Sequence, residues 1–239
     1  MNLRTIRGEV TETFLDGFRC EKAERDAYSE FAYPKHWKMM RFDTERYRIP
    51  GYGHFFTMFT DTIFGMKLLT CSFMPGEGAS VPYLLIDMMT VGKKRTVFVE
   101  YYDCTADHPA MPGLTQIAER YASLADYAEK PAWYVGERTD DSLIKSGRKA
   151  DDDMLTAMVR DSVAAYRSAV DTACAAAGSA AVGAAVSAAV GASGGVDNRD
   201  SAVSLAEQNR RGLIALRERM ITEGNPSSSV MNRVFGICV

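Results

Sequence analysis

Histidine is scarce in this chain of 239 residues: His36, His54 and His108 each stand alone. The five cysteines, Cys20, Cys71, Cys104, Cys174 and Cys238, are scattered and form no CxxC pair. A structural zinc centre needs clustered Cys and His ligands, so no metal site is expected. An odd, unpatterned set of cysteines is expected to be reduced thiols in an intracellular protein. The N-terminus, MNLRTIRGEVTETF, is mixed in charge and carries acids early. It resembles neither a signal peptide nor a transit peptide.

Excess positive charge is also missing. The net charge of -3 argues against bulk binding to nucleic acid. Bulky apolar runs of membrane length are absent too. The stretch ACAAAGSAAVGAAVSAAVGASGG (173–195) is roughly as long as a membrane span. It is made of Ala, Gly, Ser and Val apart from Cys174, so nothing long or aromatic anchors it in a bilayer. It reads as a low-complexity insertion at about 173–200, a mobile linker or a loose helix between two core helices. Neither membrane nor nucleic acid is expected as a partner.

What is present is ordinary for a globular protein: 46% hydrophobic and 25% charged residues. The chain is long enough to bury a core as one domain, residues 1–239 with that insertion. Residues 1–35 read as helical and charged. From 38 to 104 come five short runs rich in β-branched, aromatic and large apolar residues: KMMRFDTERYRI, GHFFTMFTD, FGMKLLTCSFM, VPYLLIDMMTV and RTVFVEYYD. Gly and Pro punctuate them, and VGKK supplies a tight turn between the last two. This spacing predicts an antiparallel meander. Helices are expected over 113–128, 150–173 and 204–221, with a last short one in SSSVMNRVF after Asn225–Pro226. A sheet followed mostly by helices predicts an α+β fold, an antiparallel sheet with helices packed on its faces.

Within VPYLLIDMMTV, alternation puts Val81, Tyr83, Leu85, Asp87 and Met89 on one face and Pro82, Leu84, Ile86 and Met88 on the other. Both faces are apolar, so the strand is expected to be central and covered on both sides. Asp87 then points into a layer or a pocket. An ionised, unpaired carboxylate is expensive there, and the group tends to hold a proton. Two readings stay open: Asp87 is satisfied by backbone donors or a basic partner, or it is a proton donor. The three histidines read as surface or core residues. The basic cluster Lys35, Lys38, Arg41, Arg46 and Arg48 reads equally as an anion-binding surface or a solvated strand edge.

Three stretches together resemble the ferredoxin-dependent bilin reductases: Thr70–Asp103, Lys130–Leu155 and Gly224–Gly236. Pro75, Pro82, Asp87, the Gly92–Lys93–Lys94 turn, Asp103, Trp133, Pro226 and Phe235–Gly236 fall in matching order. The likeness covers roughly 40–172 and 201–236, and it rests on order and spacing, since no single motif is strongly specific. It implies a three-layer α/β/α sandwich with a linear tetrapyrrole between the sheet and the C-terminal helices. It also implies reduction of biliverdin or a dihydrobiliverdin to a phycobilin-type pigment, with no bound cofactor. Reduced ferredoxin would supply electrons one at a time, and the protein would supply the protons. A monomer of a plastid or a bacterial cytoplasm is expected.

Asp87 matches the family's central-strand aspartate, the proton donor. Asn225 stands where many members carry a second catalytic aspartate. Thr70 stands where several carry His or Asn, and Leu85 where Gly is frequent. Thr70, Asp103, Trp133, Arg48 and Met89 are the expected substrate contacts. Two alternatives share the fold: a non-catalytic bilin carrier, and a reductase of chlorophyll breakdown products.

Overall fold

The computed structural model describes residues 1–33, 36–76, 79–189 and 196–224, and the side chains of all these except 176–189 and 196–204. The chain opens with helix α1 (Leu3–Leu15) and two short strands, β1 (Glu21–Lys22) and β2 (Glu30–Tyr33). The meander follows as β3 (Met40–Ile49), β4 (Gly53–Thr62), β5 (Lys67–Pro75), β6 (Tyr83–Val91) and β7 (Lys94–Tyr102). Then come α2 (Pro112–Arg120), a 3-10 turn (Trp133–Glu137), β8 (Leu143–Arg148), α3 (Asp152–Ala189) and α4 (Val196–Thr222).

The strands form one antiparallel sheet in the order β1-β3-β4-β5-β6-β7-β8, with β2 also on the outer edge of β3. The five-strand meander expected from the sequence is its centre. At the β6–β7 turn Val91 pairs with Lys94, and Gly92 takes a φ of 57°. A two-residue hairpin needs this left-handed backbone, which glycine adopts without a Cβ clash.

Three layers result. One face of the sheet packs against α1, α2 and α3 in a large core that includes Val10, Phe14, Leu69, Phe73, Ile86, Val99, Leu155, Val159 and Tyr166. Phe14 of α1 stacks on Phe55 with centroids 4.7 Å apart. The Tyr166 hydroxyl of α3 donates to the Pro82 carbonyl at 2.5 Å, which fixes the start of β6. The other face is covered by α4, whose Leu216 and Met220 join Tyr83, Leu85 and Tyr102 in a smaller cluster.

Four expectations change. Among the described residues of 1–35, only α1 is helical, and residues 21–22 and 30–33 form the edge strands β1 and β2; Gly17 turns the chain at φ 73°, and Phe31 stacks on Phe42 of β3 at 4.5 Å. The helix expected over 113–128 ends at Arg120, because the chain turns back to pair with β8 through Asp126 and Lys145. Strand β8 is new. Val81 lies before β6 and belongs to the larger core, not to the Asp87 face. The Ala-rich stretch continues α3 as helix to Ala189, while residues 190–195 and the expected helix after Pro226 lie outside the described residues.

Candidate functional site

Register fixes which side chains share the α4 side of the sheet. Thr44, Met58, Thr70, Asp87, Phe98 and Ile144 form one cross-strand row from β3 to β8. The neighbouring row is Arg46, Phe56, Ser72, Leu85 and Glu100. Alternation places both rows on one face. Asp87 is therefore central, four strands in from the β1 edge, and covered on both sides as expected.

Asp87 is 7% exposed, and Thr70 directly opposite it is 5% exposed. The Thr70 hydroxyl donates to Asp87 Oδ1 at 2.5 Å. A hydroxyl–carboxyl hydrogen bond is electrostatically strong in such dry surroundings. Thr70 thus fixes the carboxyl's orientation, although it cannot exchange an acidic proton itself.

The surroundings of this pair are short of water and hold further polar groups. Glu100 is 0% exposed. Burial pushes its carboxyl up to about 8; the Arg138 guanidinium opposes this, and the charge of Asp87 adds to it. Arg138 donates to Glu100 at 2.9 Å and to Glu129 at 2.6 Å. Burial also raises the phenols of Tyr83 and Tyr102, so both stay neutral hydrogen donors.

Helix α4 roofs one end of this face through three specific contacts. Asn209 accepts from the Ala106 N–H at 2.7 Å and donates to the Ser80 hydroxyl at 3.0 Å. Gly212 lies against the Cys104 carbonyl, closer than any side chain would allow. The Trp133 indole N–H donates to the Gly224 carbonyl at 2.9 Å, and the Arg219 guanidinium sits 4.3 Å above the same ring.

The expected site residues fall into three groups. Asp87, Thr70 and Met89 share the α4-side face, and Trp133 packs on the cluster of Tyr83 and Leu85 beside them. Arg48 lies on this face too, but at its β3 edge, three strands across, roughly 14 Å sideways at ordinary strand spacing, and four residues further along the strand. It is exposed and pairs with Glu21 at 3.2 Å. Asp103 lies past the end of β7. Burial works to raise its carboxyl, but Thr105 and His108 donate to it and hold it below the usual range, so it closes the following loop. Asn225 lies outside the described residues.

Two cavities lie along β3 and β4. One, of about 370 Å³, lies between α4 and the β3–β4 turn and is lined by Arg48, His54, Met74, Leu213 and Arg217 among others. No carboxylate is among its described lining residues. A second, of about 760 Å³, shares Arg48 and His54 with it and extends along β1. Asp87 lines neither. Among the described residues no group of His, Cys, Asp and Glu could hold a metal ion, and no helix is long and apolar enough to cross a membrane.

The sequence reading left Glu100 unused. The signal was available: a two-residue turn at Gly92–Lys93 pairs Val91 with Lys94, so Asp87 must oppose Phe98 and stand diagonal to Glu100. It also left Arg138 unassigned.

No protein-family model matches the sequence, and no curated protein matches it. Among solved structures the fold is similar to that of phytochromobilin synthase from tomato, solved in complex with biliverdin, with a TM-score of 0.61 and 10% identity. The match covers 72% of this chain and 64% of that chain. At this identity the likeness is one of fold: an open antiparallel sheet with helices around it.

Proposed function

We propose that the protein is a ferredoxin-dependent reductase of a linear tetrapyrrole, biliverdin or a dihydrobiliverdin, with Asp87 as a proton donor. The observation that carries this reading is the buried carboxyl at the middle of the sheet, on the face roofed by the C-terminal helix. The fold it occupies is that of a neighbour crystallised with biliverdin. Reduction of a conjugated C=C bond consumes two electrons and two protons. Reduced ferredoxin, an external one-electron donor, supplies the electrons in two steps. A carboxyl held in an apolar, water-poor layer is suited to deliver a proton to the pigment.

The other residues take roles their positions allow. Thr70 orients Asp87. Met89 and Trp133 offer apolar and aromatic surface to flat pyrrole rings. Arg48, His54 and Arg217 line a cavity that favours anions, which suits the two propionates of a bilin. Pigment and ferredoxin are the partners in this reading. Mixing the purified protein with biliverdin should shift the pigment's visible band, and adding ferredoxin, its reductase and NADPH should convert it.

One observation favours a second reading. Thr70 is a direct hydrogen-bond partner of Asp87 and does not titrate. A non-catalytic bilin carrier on the same fold needs no proton relay. It would bind biliverdin and leave its spectrum unchanged under reduction.

A further inference from the structure

The β6–β7 hairpin carries a second carboxyl on the Asp87 face. Glu100 stands opposite Leu85 and one diagonal step from Asp87. Diagonal neighbours on paired strands lie roughly 7–8 Å apart, within reach of long side chains. Glu100 Oε1 accepts from Arg138 at 2.9 Å. Its Oε2 is buried, with the Tyr102 hydroxyl, two residues along the same face, as a neighbour that favours the ionised form. Burial of a carboxylate in such a layer is costly even so, and a proton on it removes most of that cost.

The charges point the same way. Glu100 is faced by Tyr102 on its own strand, by Asp87 and Tyr83 on β6, and by Arg138 and Glu129 from the segment between α2 and β8. Arg138 divides its guanidinium between Glu100 and Glu129. One cation balances one of these two anions, so the other is better neutral. The Glu129 side chain is 20% exposed and that of Glu100 is 0% exposed, so Glu100 is the one that keeps the proton.

We propose that Glu100 is the second proton-holding carboxyl of this site, a positioning residue that acts through Asp87. Its role in turnover rests on the bilin reading above. The two electrons come from two reduced ferredoxins. Asp87 gives the first proton to the pigment, Glu100 returns one to Asp87, and Asp87 gives the second. One π bond is replaced by two C–H bonds, and both carboxylates then recover protons from water. Glu100 thereby answers for the second proton in a chain where Thr70 cannot supply it.

The test uses the full chain with carbon-13 in its glutamate carboxyls, followed by NMR across pH without pigment. One glutamate is expected to titrate near 8, apart from the rest. That signal should vanish in Glu100→Gln. In Asp87→Asn its midpoint should move down, because a facing negative charge is gone. A purely structural ion pair would titrate with the other glutamates and ignore the Asp87 change. The proposal is overturned if no glutamate titrates above about 6, or if the midpoint is unmoved in Asp87→Asn. Should Glu100→Gln fail to fold, the Asp87→Asn arm decides alone. With biliverdin, the single-turnover rate should fall through the same midpoint, and Glu100→Asp should restore a pH limb that Glu100→Gln lacks. A protein that binds no bilin defeats the functional reading and leaves the titrations to be judged on their own.

Discussion

Gly212→Ala is expected to unseat helix α4. A Cβ at this position would stand 2.1 Å from the Cys104 carbonyl oxygen and 3.1 Å from its carbon. Ordinary contact begins near 3.4 Å, so 3.4 minus 2.1 leaves about 1.3 Å to be found by moving backbone against backbone. No rotamer change can relieve it. The Asn209 hydrogen bonds to Ala106 and Ser80, one turn away, resist the movement. Overpacking of this kind costs about 1–3 kcal/mol, against which alanine's helix propensity returns up to about 1 kcal/mol. Gly8→Ala is the matched control. It makes the same change inside α1, with nothing within 4 Å of the new methyl, and should stabilise by up to about 1 kcal/mol. Urea unfolding reads both as midpoint shifts at constant slope. The Gly212 variant should fall and the Gly8 variant rise, and the Gly212 variant should also hold biliverdin more weakly. Stability of Gly212→Ala raised as far as that of Gly8→Ala would refute the seating of α4 on the Cys104 carbonyl, and with it the roof over the Asp87 face.

Two further expectations concern the same face. In the unfolded chain Glu100 ionises near its ordinary 4.5, whereas in the fold it holds its proton to about 8. Between these values the folded state binds the extra proton, so stability is greatest below 4.5 and decreases as pH rises to about 8. Urea midpoints across that range should show the decline, and Glu100→Gln should flatten it; an unchanged slope in the variant would contradict the assignment. Trp133→Phe removes the indole N–H bond to Gly224 and weakens the Arg219 contact, at about 1–2 kcal/mol together. A midpoint equal to wild type would show that Trp133 does not tether α4.

The centre of the fold was legible because its signals are local. Each meander strand is a compact run of large apolar residues bounded by Gly or Pro, and β6 announces its double burial by lacking polar alternation. Strand β8 was not legible, because one of its two buried residues is a lysine. Lys145 is 6% exposed, and its ammonium group reaches Asp126 at 2.7 Å and the Leu124 carbonyl. A buried lysine with distant partners looks like a loop residue in sequence. The edge strands β1 and β2 were hidden for a related reason: they are only two and four residues long and largely exposed, and only β3 gives them a place to pair. Burial of Asp87 followed from alternation alone. Its neighbours required register across two hairpins, and Arg138 reaches Glu100 from 38 residues away in sequence. For Asp103, matching order in the chain gave no sign that Thr105 and His108 bond its carboxyl within its own loop.

The central claim is that Asp87 protonates a bilin during ferredoxin-driven reduction. The most direct measurement is anaerobic turnover of biliverdin with ferredoxin, ferredoxin reductase and NADPH, followed by absorption and product chromatography, for wild type and Asp87→Asn. Wild type should convert the pigment to a reduced product, and Asp87→Asn should bind it with little loss of affinity but stall before product. Bound biliverdin that never changes under reduction in wild type, or full turnover in Asp87→Asn, would contradict it.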